Sequence, residues 1–172
     1  MEAKYKESGC EFTPKYQTMK FDDFIEKLKL NNIFKSVDFI VLKNTKVFFI
    51  EVKSFDYFKK EQLDQKLDDL VRKLSDSYFL INAIENNSTV HNFLSSCKST
   101  LNKSIQRREG RLSLVVLVCP PQYAKLTYDR LTMINIILNR LRKKVNSLKV
   151  SIYVDDINNS LGLFKSIKIS QS

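Results

Sequence analysis

The hydrophobic positions of this chain change period several times, and each change marks a new element. In "KFDDFIEKLKL" the apolar residues Phe21, Phe24, Ile25 and Leu28 recur at helical spacing, which predicts a short amphipathic helix over residues 20–30. "VDFIVLK" and "KVFFIEVKS" follow as two runs rich in Val, Ile and Phe, and the polar "KNTK" between them predicts a β-hairpin. From Lys60 the period returns to that of a helix. Leu63, Leu67, Leu70, Val71, Leu74, Tyr78 and Ile81 share one face of a helix expected over 60–84. A second helix begins at Thr89, carries Val90, Phe93, Leu94, Cys97, Leu101 and Ile105 inward, and ends near Gly110. "RLSLVVLVCPP" is apolar throughout and stopped by prolines, as expected of a central strand covered on both faces. A helix from Thr127 to about 145 follows, with Leu131, Ile134, Leu138, Leu141 and Val145 on one stripe. The strands "LKVSIYVDD" and "LGLFKSIKI" complete the order. The pattern predicts one mixed α/β domain over residues 1–172, with helices on both faces of a central mixed sheet.

Composition narrows the class of protein. With 43% hydrophobic and 28% charged residues the chain is of ordinary globular make-up, and three Gly and three Pro leave no linker-like segment. No apolar run nears the roughly 20 residues of a membrane helix, so no membrane association and a cytoplasmic location are expected. Cys10, Cys97 and Cys119 are too scattered for a zinc site or a disulfide framework, and His91, the only histidine, has no Ser/His/Asp arrangement around it. Of the net charge of +10, nearly all lies in residues 101–150, which hold eleven basic and two acidic groups. Such a concentration marks a polyanion-binding face. Arg107, Arg108 and Arg111 in "QRREGR" and Arg140, Arg142, Lys143 and Lys144 in "NRLRKK" are the candidate phosphate contacts.

One stretch breaks the apolar logic. In "VFFIEVKSF" a carboxylate and an ammonium, Glu51 and Lys53, occupy the same face of a strand that is otherwise built for burial. With the hairpin turn near Asn44, Asp38 on the preceding strand falls opposite residues 51–52. Two close carboxylates in a partly buried place repel each other unless a cation lies between them. Oxygen ligands with room for water and phosphate suit Mg²⁺ or Mn²⁺. A lysine beside them could orient or deprotonate a water and offset charge on a phosphorane-like transition state. The plainer alternative is an ordinary salt bridge at a sheet edge, worth at most about 1 kcal/mol. The apolar flanks argue against it.

Asp38, twelve intervening residues, then Glu51-Val52-Lys53 resembles the PD-(D/E)xK nuclease superfamily, with Val37 where proline is common. "SVDFIVLKNTKVFFIEVKSF" is similar to the catalytic hairpin of archaeal Holliday-junction resolvases. The layout of the whole chain, from "KESGCEF" through "IEVKS", "DDLVRKLSDSYFLI" and "VVLVC" to "VSIYVDDINNSLGLF", resembles small stand-alone bacterial members of unsettled substrate. The resemblance implies a restriction-endonuclease-like core and a divalent metal held by Asp38, Glu51 and the Val52 carbonyl. It also implies catalysis by Asp38, Glu51 and Lys53, with Glu7 or Glu26 as a further acid and Glu7 preferred. The expected activity is metal-dependent phosphodiester hydrolysis, in DNA ahead of RNA. A homodimer would let so small an enzyme address both strands, and a protein partner could supply target choice. The alternative is a nuclease-fold protein that binds nucleic acid or a partner without cutting.

Overall fold

The computed structural model describes residues 4–54, 62–83, 89–107, 112–119, 130–146, 148, 150–157 and 161–169. The elements run β1 (Tyr5–Glu7), β2 (Cys10–Pro14), β3 (Gln17–Lys20), α1 (Phe21–Lys27), β4 (Phe39–Lys43), β5 (Lys46–Ser54), α2 (Leu63–Ala83), α3 (Thr89–Arg107), β6 (Leu112–Cys119), α4 (Arg130–Lys144), β7 (Val150–Asp156) and β8 (Phe164–Ile169). A five-stranded sheet has the order β3-β4-β5-β6-β7, and a three-stranded sheet the order β1-β2-β8. In the larger sheet β3, β4 and β5 are antiparallel neighbours, whereas β5, β6 and β7 are parallel. The expected mixed α/β architecture is therefore present.

The hairpin β4–β5 turns at Asn44, whose left-handed backbone (φ 54°) suits asparagine. Its register pairs Phe39 with Ile50 and Lys43 with Lys46, as the sequence spacing requires. All eight residues of β6 are buried, so the continuous apolar run is a fully covered central strand. α1 stops at Lys27, short of the expected 30. Lys29 takes a left-handed conformation (φ 57°), its N–H bonds to the Glu26 carbonyl, and the Leu30 N–H reaches back to the Ile25 carbonyl. This closing pattern satisfies the last carbonyls and turns the chain away.

Among the described residues the expectation of helices on both faces is not met. Buried residues of α1, α2, α3 and α4 join a single cluster with alternate sheet residues, among them Ile40, Phe49, Leu114, Val116 and Ile152. The opposite sheet face, carrying Phe39, Val41, Ile50, Val52, Val115 and Leu117, packs instead on Cys10, Phe12, Leu163 and Phe164. β5, β6 and β7 are laid down in one direction across the sheet, and successive crossovers of one hand keep their helices on one side. The other side is left to the small sheet, whose Phe12 lies 5.2 Å from the Phe39 ring and 5.0 Å from that of Phe164.

The stripe of α4 also differs from expectation. It runs through Met133, Ile134, Ile137, Leu141 and Val145, and Leu131 is 68% exposed. Leu131 precedes Ile137 by six residues, about 120° around the helix from the stripe's centre. The three cysteines are buried, as small core residues should be, and burial pushes the Cys97 thiol up to about 12.

Candidate metal-phosphate site

Period 2 puts Glu51 and Lys53 on the helix-covered face of β5, in line with Val47 and Phe49. Glu51 is completely buried and Asp38 is 4% exposed. Asp38 precedes β4, and its Oδ2 accepts a 2.7 Å hydrogen bond from the Val52 N–H. The two predicted acids therefore meet across the hairpin. Lys53 Nζ lies 2.6 Å from Glu51 Oε1.

A second ammonium, absent from the sequence reading, arrives from α2. Lys73 Nζ is 2.6 Å from the same Glu51 Oε1 and 3.9 Å from Asp38 Oδ1. Four residues further along the helix, Ser77 Oγ accepts the Val37 N–H at 3.0 Å. Two side chains on one face of α2 thus fasten the segment that carries Asp38. Glu51 is left lopsided, since Oε1 takes two ammoniums while buried Oε2 has no hydrogen-bond partner among the described residues.

On its other side Asp38 meets two more acids. One carboxylate oxygen from each of Glu7, Asp22 and Asp38 lies within 4.8 Å of the others. Glu7 ends β1, where Ser8 and Gly9, both at positive φ (48° and 74°), form a two-residue turn into Cys10. That twist matches an antiparallel pair, and glycine takes the second position at no steric cost. The Ser8 hydroxyl donates to the Val52 carbonyl at 3.3 Å, tying the turn to the strand that carries Glu51. Asp22 stands in the first turn of α1, which is docked by a 2.8 Å bond from the Phe21 N–H to the Asp38 carbonyl. Of the two alternatives for the further acid, the structure brings in Glu7. Glu26 is exposed one turn beyond Asp22.

Lys20 partly offsets this cluster. Its Nζ lies 3.3 Å from Glu7, 3.6 Å from Asp22 and 2.9 Å from Asp23. Burial would lower its affinity for a proton, but these three acids outweigh that and hold it above lysine's usual range. Asp38 is raised well above the usual carboxylate range, first by burial, then by Glu51, with Glu7 adding to it and Lys53 and Lys73 opposing. Asp22 is raised by burial, against the pull of the Asp23 N–H and Lys20. Acids so placed are poised to trade protons for a cation.

The residues fit a hard divalent cation. The donors are all oxygen, three carboxylates converge, and the buried Glu51 Oε2 lacks a hydrogen-bond partner among the described residues. The Val52 carbonyl, expected as a ligand, stands beside Asp38 and accepts from Ser8. A groove of about 760 Å³ opens next to Lys20, lined also by Tyr5, Phe24, Lys27 and Phe93.

The candidate phosphate contacts are more dispersed. Arg140 pairs with Asp64 of α2 at 3.0 Å, and Lys144 with Asp68 at 2.6 Å, so both help hold α4 against α2. Arg142 and Lys143 point outward on the exposed face. Arg107 lies at the end of α3, and Arg108 and Arg111 fall outside the described residues.

No family model, curated protein or solved structure matches the chain. Among the described residues no helix is long and apolar enough to cross a membrane.

Proposed function

We propose that the chain is a metal-dependent nuclease that hydrolyses phosphodiester bonds, in DNA ahead of RNA, with the restriction-endonuclease-like core of the PD-(D/E)xK enzymes. The observation that carries this reading is Glu51, a fully buried carboxylate with one oxygen on two lysines and the other without a hydrogen-bond partner among the described residues, set beside the 4%-exposed Asp38. A purely structural salt bridge gains nothing from that arrangement, because each buried charge costs several kcal/mol to desolvate (about that order).

In this reading Asp38 and Glu51, with the Val52 carbonyl and Glu7, hold Mg²⁺ or Mn²⁺. Asp22 joins Glu7 and Asp38 on the open side. The ion, when bound, supplies Lewis acidity toward a phosphate oxygen and acidifies a water. Lys53 has the chemistry to orient that water and to offset charge on the phosphorus oxygens. Glu7 and Asp22, both partly exposed, offer oxygens that can take a proton from it. Arg142 and Lys143 supply sequence-independent attraction for the backbone.

The test is cleavage of linear, circular, single-stranded and branched DNA and of RNA with Mg²⁺, Mn²⁺ or EDTA, wild type beside Glu51→Ala. Metal-dependent cleavage that Glu51→Ala abolishes is expected. Absence of both cleavage and calorimetric Mn²⁺ binding would overturn the reading and leave a nucleic-acid or protein-binding scaffold.

A further inference from the structure

We infer that Lys73 is a resident counter-ion of the proposed metal site, one that occupies the cation position between Asp38 and Glu51 and has to withdraw when a divalent ion binds there. The inference rests on the nuclease reading and adds to it a brake on metal loading.

The geometry sets Lys73 apart from Lys53. Lys53 is two residues from Glu51 on one strand, so it stays beside that carboxylate whatever else binds. Lys73 comes from a different element, and its Nζ reaches both acids, 2.6 Å from Glu51 and 3.9 Å from Asp38. A point charge on a flexible four-carbon stem can hold such a position and also leave it. The charges point the same way. Whichever form Asp38 takes, Lys73 adds one positive charge beside the two acids, and the group attracts a divalent ion less with it than without it. Lys73 keeps 17% of its side chain exposed and flanks the buried stripe of Leu70 and Leu74 rather than belonging to it, which leaves it a way out to solvent.

The consequence is a site of restrained metal affinity, loaded only when the ion is abundant or when a phosphate adds negative charge beside it. Reciprocity then makes metal and polyanion favour each other's binding.

The experiment is calorimetric titration of Mn²⁺ into wild type, Lys73→Gln, Lys73→Arg and, as a control for overall charge, the exposed Lys29→Gln. Glutamine keeps a polar side chain of nearly lysine's length without its charge, and a thermal melt of each variant confirms that it is folded. Lys73→Gln is expected to bind Mn²⁺ at least about tenfold more tightly, a small part of what a unit charge at this distance can exert. Lys73→Arg and Lys29→Gln should match wild type. Equal or weaker binding by Lys73→Gln overturns the inference. So does equal tightening in Lys73→Arg or in Lys29→Gln. Mn²⁺ binding to none of the four proteins overturns the nuclease reading itself, and this inference with it.

Discussion

Replacing Asp38 by asparagine should stabilise the metal-free protein. The carboxylate is 4% exposed, and its strongest hydrogen bond, from the Val52 N–H, is one that an amide oxygen also accepts. Lys73 at 3.9 Å attracts the charged form by up to about 4 kcal/mol at an effective dielectric constant of about 20. Burial and the neighbouring Glu51 outweigh that attraction, because Asp38 titrates well above the usual range. The folded state therefore holds the Asp38 proton to higher pH than the unfolded chain does. Stability falls as pH rises from about 3.9, the unfolded value, through the raised folded value, and the loss is complete above it. The Asp38→Asn variant escapes this loss. Gains from relieving such functional strain are about 0.5–2 kcal/mol. In a domain of this size that corresponds to roughly 1–8 °C in Tm. The assay is a series of thermal melts in EDTA from about pH 4 to neutrality. The gain should be largest at neutral pH and vanish toward the acid end, and added Mn²⁺ should raise the Tm of wild type only. A variant that melts below wild type at neutral pH in EDTA would show that the protein favours ionised Asp38. The account of a strained acid site would then be wrong.

Ser77→Ala leaves the buried Val37 N–H without its acceptor, and should cost about 1–3 kcal/mol in chemical denaturation while loosening Asp38 enough to weaken Mn²⁺ binding. Phe12→Ala empties the centre of the second cluster and should cost about 3–5 kcal/mol, seen as a lower urea midpoint; a loss below about 1 kcal/mol would mean the small sheet does not support the larger one. Reversing the exposed Arg142 and Lys143 to Glu should lower nucleic-acid affinity alike for all sequences and reduce the salt slope by about 2, read by fluorescence anisotropy at several salt concentrations. By contrast, Asp64→Asn and Asp68→Asn, which release Arg140 and Lys144 from α2, should change stability by no more than about 1 kcal/mol each and leave affinity equal or higher.

What could be read in the sequence was what rests on period and short range. The Asp38–Glu51–Lys53 hairpin follows from alternation and one turn, and the helices α2, α3 and α4 from their apolar stripes. The segments β1, β2 and β3 were not legible as strands, because each has three to five residues and too few alternations to show a period. With them went the small sheet, and hence the true partner of the second sheet face. Asp22 was hidden by its place in the first turn of α1, where an acid is already explained by the helix dipole. Lys73 was hidden because a lysine beside an inward stripe reads as a solvated flank. Only its spacing of four from Ser77, itself a polar residue on the buried face, could have pointed inward. Both omissions involve contacts between residues distant in sequence, on which local pattern is silent.

The cost of the site bears on the choice between cutting and binding. Asp38 and Glu51 together remove two carboxylates from water, and among the described residues the lysines that balance them leave one buried oxygen without a hydrogen-bond partner. A scaffold that only bound nucleic acid would lose no stability if these acids and their lysines were exchanged together for apolar residues, and its affinity would rest on outward lysines and arginines such as Arg142 and Lys143. Its backbone could keep the same hairpin, since β4 and β5 are held by their apolar residues and their ladder. The chain nevertheless keeps both acids, sets Glu7 and Asp22 beside them, and commits Lys20, Lys53 and Lys73 to holding them. Burial holds Asp38 well above the usual carboxylate range, and a carboxylate repels phosphate, so neither stability nor simple binding calls for this acid. In the proposed function a cation joins Asp38 and Glu51 to a phosphate, and that requirement is what the Asp38→Asn melts and the Mn²⁺ titrations measure from opposite sides.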